Sequence, residues 1–217
     1  MMNGYWLVKR KSLYVLALTA GMTAAPLSYA NTHRQVSLMI GGTSTGDLKT
    51  ERPSAEVNTS SGTSYTLLLN QLQRTAETNI DLQYEMLISQ NTLTVKAPAD
   101  IITSQEAELT SRHLHIGGTY EWRHDRITPY VGGTIGASHL SLSGAGADTF
   151  LGYSVAGGLK FPLGENLNLR IEARAIGVNL SSDTDFFCSS AQGTCLINIR
   201  SNTWWQQQLS IGLGYRF

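Results

Sequence analysis

The chain has 217 residues, 16 basic and 16 acidic, and charged residues make up only 15% of it, below the ~25% usual in soluble domains. Removing the first 30 residues takes away Lys9, Arg10 and Lys11 and no acid, leaving 13 − 16 = −3. That balance excludes a basic nucleic-acid-binding surface.

Residues 1–30 read as a cleaved secretory signal. The three basic residues precede a mostly apolar, uncharged run over 13–25, and Pro26, Ser28 and Ala30 lead out through small residues. The run is shorter than the roughly 20 residues a membrane-spanning helix needs. Cleavage is expected between Ala30 and Asn31, with 31–217 forming one domain.

After that the chain alternates. A first strand over 34–42 sets Val36, Leu38 and Ile40 against Gln35, Ser37 and Met39. Residues 43–63, rich in Ser, Thr and Gly, read as an exposed loop. A second strand, 64–73, carries Tyr65, Leu67 and Leu69, although Leu68 and Leu72 blur its alternation. A tight turn over 74–78 leads to a clean third strand. There Ile80, Leu82, Tyr84, Met86 and Ile88 oppose Asp81, Gln83 and Glu85. A long connection over 90–108 precedes a fourth strand, in which Leu114, Ile116, Tyr120 and Trp122 oppose His113, His115, Thr119 and Glu121.

The short charged turn 123–126 opens a glycine-rich fifth strand, 127–142. Val131 and Ile135 share one parity there, while Leu140 and Leu142 fall on the other, so a bulge near Gly136 is expected. The sixth strand sets Leu151, Tyr153, Val155, Leu159 and Phe161 against Ser154, Ala156 and Lys160. After a tight turn at 162–166, the seventh sets Leu167, Leu169, Ile171, Ala173 and Ala175 against Asn168, Arg170, Glu172 and Arg174. Ile176 and Val178 break that parity around Gly177, where the strand is expected to leave a bilayer. A connection over 181–202 contains both cysteines. The last strand, 203–217, places Trp205, Gln207, Leu209, Ile211, Leu213, Tyr215 and Phe217 on one face. Gln206, Gln208, Ser210, Gly212 and Gly214 lie on the other.

Eight strands with tight turns alternating with longer links, an apolar stripe and a small polar stripe predict an all-β, eight-stranded antiparallel transmembrane barrel. The polar stripe is mainly Ser, Thr, Gly, Gln and Asn, which argues against a soluble barrel with its apolar face inward. The closing segment, together with Ile127-Thr-Pro-Tyr-Val-Gly-Gly133, Gly157-Gly-Leu-Lys-Phe-Pro-Leu163 and Leu169-Arg-Ile-Glu-Ala-Arg174, resembles the small bacterial outer-membrane barrels, the OmpA- and OmpX-like class. The resemblance implies a Gram-negative outer membrane as location and outer-membrane lipid as surroundings. It also implies the barrel assembly machinery and periplasmic chaperones as partners, and a monomer. Tyr215 and Phe217 would serve as its assembly signal.

An eight-stranded lumen is narrow enough for side chains to fill it. Asp81, Glu85, Arg170, Glu172 and Arg174 are therefore expected to form a salt-bridged plug, with a narrow pore as the alternative. His113 and His115 point the same way, but Glu121 is too far along the strand to join them in a metal site, so hydrogen bonds to acids are expected instead. No motif points to a cofactor. His139 and Ser141 match the His-x-Ser pair of lipid A deacylases, although those carry it late in the chain, and no orienting acid is evident. A non-catalytic barrel with its specific chemistry in external loops is the expectation. Cys188 and Cys195, downstream of an export signal, are expected to form a disulfide.

Overall fold

The computed structural model describes residues 33–46, 48–49, 56–72, 80–96, 105–122, 126–143, 146–180, 188–189, 194–195 and 203–217. The barrel lies within the unit Thr32–Phe217. Its wall is built from β1 (His33–Thr45), β4 (Gly62–Leu72), β5 (Ile80–Lys96), β6 (Gln105–Glu121), β7 (Thr128–Leu142), β8 (Gly146–Pro162), β9 (Leu167–Asn179) and β12 (Thr203–Arg216). Each pairs antiparallel with the next, and β1 pairs with β12, so the eight-stranded sheet closes with no barrel edge left unpaired. No helix occurs among the described residues.

One ladder row fixes the barrel's geometry. It runs Val36, Leu69, Tyr84, Ile116, Ile135, Tyr153, Gly177, Trp205 and returns to β1 at Gly46, whose amide donates to the Trp205 carbonyl. The row starts at position 36 and ends at 46, a stagger of 46 − 36 = 10 residues. For eight strands that stagger corresponds to a tilt of about 40°. From Trp205 to Tyr215, the outward residues of β12 then span roughly 25 Å along the axis, the height of a bilayer's apolar band.

Side-chain direction follows the sequence alternation, with the polarity of a membrane protein. Leu38 (66% exposed), Ile40, Tyr65, Leu114, Ile116, Val131, Ile135, Val155, Leu209, Ile211 and Leu213 face outward and are exposed. Gln35, Ser37, Ser64, Thr66, Gln83, Ser111, Ser154, Gln206, Gln208 and Ser210 face inward and are buried. A water-soluble barrel would invert this pattern, because burying apolar area is what stabilises it.

That inversion does occur, but only at one end. Toward the strand ends away from Phe217, the lumen fills with Leu87, Leu93, Leu109, Leu140, Leu142, Phe150, Ile176, Val178, Leu180 and Trp204. The outer wall at the same end carries Gln90, Thr92, Glu108, Arg112 and Thr149, all exposed. The lumen is therefore lined mainly with polar groups along the apolar band and carries an apolar cluster, beside buried Thr45, Asn91 and Gln206, toward the other end.

This change of polarity replaces the expected bulge at Gly136. The ladders of β7 run without a slip from Leu109↔Leu142 to Glu121↔Tyr130 and from Thr128↔Lys160 to Leu142↔Gly146. Leu140 and Leu142 simply point into the apolar upper lumen, as Ile176 and Val178 do. Leu68, which blurs the second strand, also faces the lumen and is fully buried.

The loops differ from expectation too. β5 continues to Lys96 and β6 starts at Gln105, so most of the connection expected over 90–108 is strand. Residues 43–63 are not one irregular loop. β2 (Leu48–Lys49) and β3 (Glu56–Thr59) form a small ladder that adds to the far end of β5. The turn at 162–166 is closed by Leu163 N–H donating to Leu167 C=O at 2.8 Å. The turns expected at 74–78 and, apart from Arg126, at 123–126 lie outside the described residues.

Candidate functional site

The lumen residues converge because β5 and β9 stand on opposite sides of the ring, four strands apart. Arg170, Glu172 and Arg174 alternate along β9, so all three point inward. Glu172 is the hub. Its Oε2 accepts from Arg170 Nη2 and from Tyr130 Oη, each at 2.7 Å, and its Oε1 accepts from Arg174 Nη2 at 2.7 Å and Nε at 3.0 Å. Arg174 also reaches across the lumen to Glu85 on β5 and donates to Ser154 Oγ at 2.8 Å. Two guanidinium groups thus face two carboxylates, all nearly or fully buried. Burial of this many charges is tolerable only because each is paired and hydrogen-bonded.

Asp81 is the fifth charged residue expected in this group. It is fully buried a layer nearer Phe217, where it interacts electrostatically with Lys160. Lys160 in turn forms a salt bridge with Glu121. Lys160 Nζ lies 5.3 Å from the Tyr130 ring centroid, which links the two layers, while Asp81 and Glu85 are four residues apart on β5. Gln83 lies between them, accepting from Asn70 Nδ2 at 3.1 Å and Arg170 Nη2 at 3.4 Å and donating to Glu85 at 3.5 Å.

Tyr130 is the member that sequence reasoning missed. It is buried, accepts from Arg170 Nε at 2.6 Å, and lies under the Arg170 guanidinium, 4.3 Å from ring centroid to Cζ. Cation–π stacking adds to the hydrogen bond there. Gly158 makes room for it, since a Cβ at that position would overlap the Tyr130 ring. The available signal was parity: Tyr130 shares its face with Gly132 and Thr134, opposite Val131 and Ile135.

The two histidines bond to a hydroxyl instead of acids. His113 Nδ1 lies 2.8 Å and His115 Nε2 3.3 Å from Ser138 Oγ, and Thr134 Oγ1 lies 3.3 Å from His115 Nδ1. Glu85 approaches His115 only to 3.8 Å. Gly152 faces this cluster, where any Cβ would collide with Ser138. No group of three or more metal-ligating side chains occurs among the described residues.

His139 and Ser141 face outward, not into the lumen. His139 Nδ1 pairs with Thr149 Oγ1 at 2.9 Å, its register partner on β8, and no bond to Ser141 occurs among the described residues. Cys188 and Cys195 are directly opposed in the two-stranded ladder of β10 (Cys188–Ser189) and β11 (Thr194–Cys195). At the closing seam, Arg34 N–H donates to Phe217 C=O at 3.0 Å and Phe217 N–H to Arg34 C=O at 2.8 Å. The side chains of Tyr215 and Phe217 are exposed on the outer wall.

A closed barrel with an apolar wall and an ion-paired interior defines a class, and comparison with known proteins agrees. The family described as "Outer membrane protein beta-barrel domain" matches residues 14–217, and the chain belongs to that family. No curated protein sequence matches it. Among solved structures, it resembles OprG from Pseudomonas aeruginosa (12% identity, TM-score 0.54, 86% of this chain and 96% of that one). It also resembles the Neisserial surface protein NspA (14% identity, TM-score 0.51, 87% and 98%). At these identities the likeness is one of fold.

Proposed function

We propose that the protein is a non-catalytic barrel of a Gram-negative outer membrane, its lumen a structural plug and its specific chemistry in the external connections. The observation that carries this reading is the Arg174–Glu85 bridge, which joins opposite walls and is tied to Glu172 and Arg170. The apolar cluster stacked beyond it supports the same reading. A pore would require both layers to open. A lipid A hydrolase has less support, because His139 is engaged by Thr149 and, among the described residues, no acid holds it toward Ser141.

The same reading includes removal of residues 1–30 on export, assembly as a monomer through chaperones and the barrel machinery with Tyr215 and Phe217 as signal, and a Cys188–Cys195 disulfide. Directly opposed residues of an antiparallel ladder have Cα separations of about 4.5 or 5.5 Å, both within the range a disulfide spans. The test is planar-bilayer conductance of the detergent-purified protein, with analysis of lipid A from cells expressing it. The expected result is no stepwise conductance and unchanged acylation. Defined channels, or loss of an acyl chain dependent on His139, would overturn the proposal.

A further inference from the structure

We infer that the outer wall carries a site for the phosphate of an outer-leaflet lipid, formed by Arg112, His139 and Thr149. This rests on the outer-membrane placement and goes beyond any role of the loops. The three residues are consecutive register partners across β6, β7 and β8, and all face outward. Their row lies directly beyond the row Leu114, Ala137, Leu151, whose side chains are exposed to the apolar band. The polar row thus stands at the level where headgroups begin, the same level at which the lumen turns apolar.

The chemistry of the row fits a phosphate. Lys160, Arg170 and Arg174 turn inward and are paired, whereas Arg112 is exposed and makes no salt bridge among the described residues. Glu108, the nearest acid on its own strand face, is four residues away, roughly 13 Å. The pairing of His139 Nδ1 with Thr149 orients the imidazole and leaves Nε2 without a protein partner among the described residues. Neighbouring strands hold opposed residues about 4.5–5.5 Å apart, so guanidinium and imidazole can contact one phosphate together. The planar fork of arginine suits its oxygens. Beneath them, exposed Leu114, Ala137 and Leu151 form an apolar floor against which an acyl chain can lie. That apolar floor favours a lipid phosphate over a free one.

The test is binding of diphosphorylated lipid A, presented in detergent micelles, to the purified full-length protein, read by native mass spectrometry. Heat-dependent gel mobility checks that each variant is a folded barrel. Wild type is expected to retain lipid A. Arg112→Gln should weaken retention about tenfold, equivalent to ~1.4 kcal/mol, Arg112→Lys should keep most of it, and His139→Leu should weaken it independently. Dephosphorylated lipid A should bind wild type no better than it binds Arg112→Gln, and millimolar inorganic phosphate should not displace lipid A. Equal retention by Arg112→Gln, equal binding of dephosphorylated lipid, or full displacement by inorganic phosphate would each overturn the site. None of these outcomes bears on whether the lumen conducts.

Discussion

Glu172 receives four hydrogen bonds from three side chains, so its loss should be felt more than that of any other lumen group. Glu172→Ala leaves two buried guanidinium groups short of their shared anion and is expected to cost about 3–5 kcal/mol. Tyr130→Phe keeps the ring under Arg170 but removes two hydrogen bonds to charged partners, each worth about 1.5–3 kcal/mol. Thermal loss of the compact band on unboiled gels should come at a lower temperature for both variants than for wild type. An unchanged Glu172→Ala transition would indicate a hydrated, weakly coupled lumen. The charged members were readable in the sequence because alternation assigns Arg170, Glu172 and Arg174 to one face. Their partner was not fully readable. Which of Asp81 and Glu85 meets Arg174 depends on stagger, a property of the closed ring and not of any one strand.

Each strand carries a boundary along its length. On β7, Ile135 faces outward within the apolar band, and Ser141 faces outward beyond it. Ile135→Arg should cost ~2–4 kcal/mol and Ser141→Arg ~0–1 kcal/mol, following the depth dependence of charge on a lipid-facing wall. The inward Leu140→Ala should cost ~2–5 kcal/mol as a cavity in a packed core. Urea unfolding in lipid vesicles would compare the three, and equal costs at 135 and 141 would remove the boundary. The parity break on β9 was legible in the sequence, and in the structure it marks where Ile176 and Val178 join the buried apolar cluster. The same break on β7 suggested a bulge, because its glycines offered a local explanation for what is a change of surroundings. On β12, deleting Phe217 removes two backbone hydrogen bonds to Arg34 at the closing seam. Cell fractionation should then find the protein degraded or periplasmic, whereas normal outer-membrane accumulation would show that the residue is dispensable.

At the scale of the molecule, closure makes the wall independent of its loops. A Cys188–Cys195 bond would enclose six intervening residues and contribute only ~2–3 kcal/mol, acting mainly on that connection. Alkylation without reductant should modify neither thiol, and reduction should leave the heat-modifiable barrel intact. Labelling of both thiols in the unreduced protein would show the bond to be absent. Strand count, closure and inside-out polarity were all legible, since period-two alternation encodes them directly. The extra ladder of β2 and β3 was not, because two- and four-residue strands carry too few alternations to register. The uneven strand lengths give the barrel a lopsided silhouette. β6 begins seven residues before Arg112, whereas β7 ends only three residues after His139, its partner in the same row. Because the row itself climbs about 3 Å per strand, the described β5–β6 wall rises about 18 Å above the level of Arg112 and the described β7–β8 wall about 11–14 Å. Among the described residues the rim is therefore canted by several ångströms, like a bevelled collar whose high side is the β5–β6 hairpin.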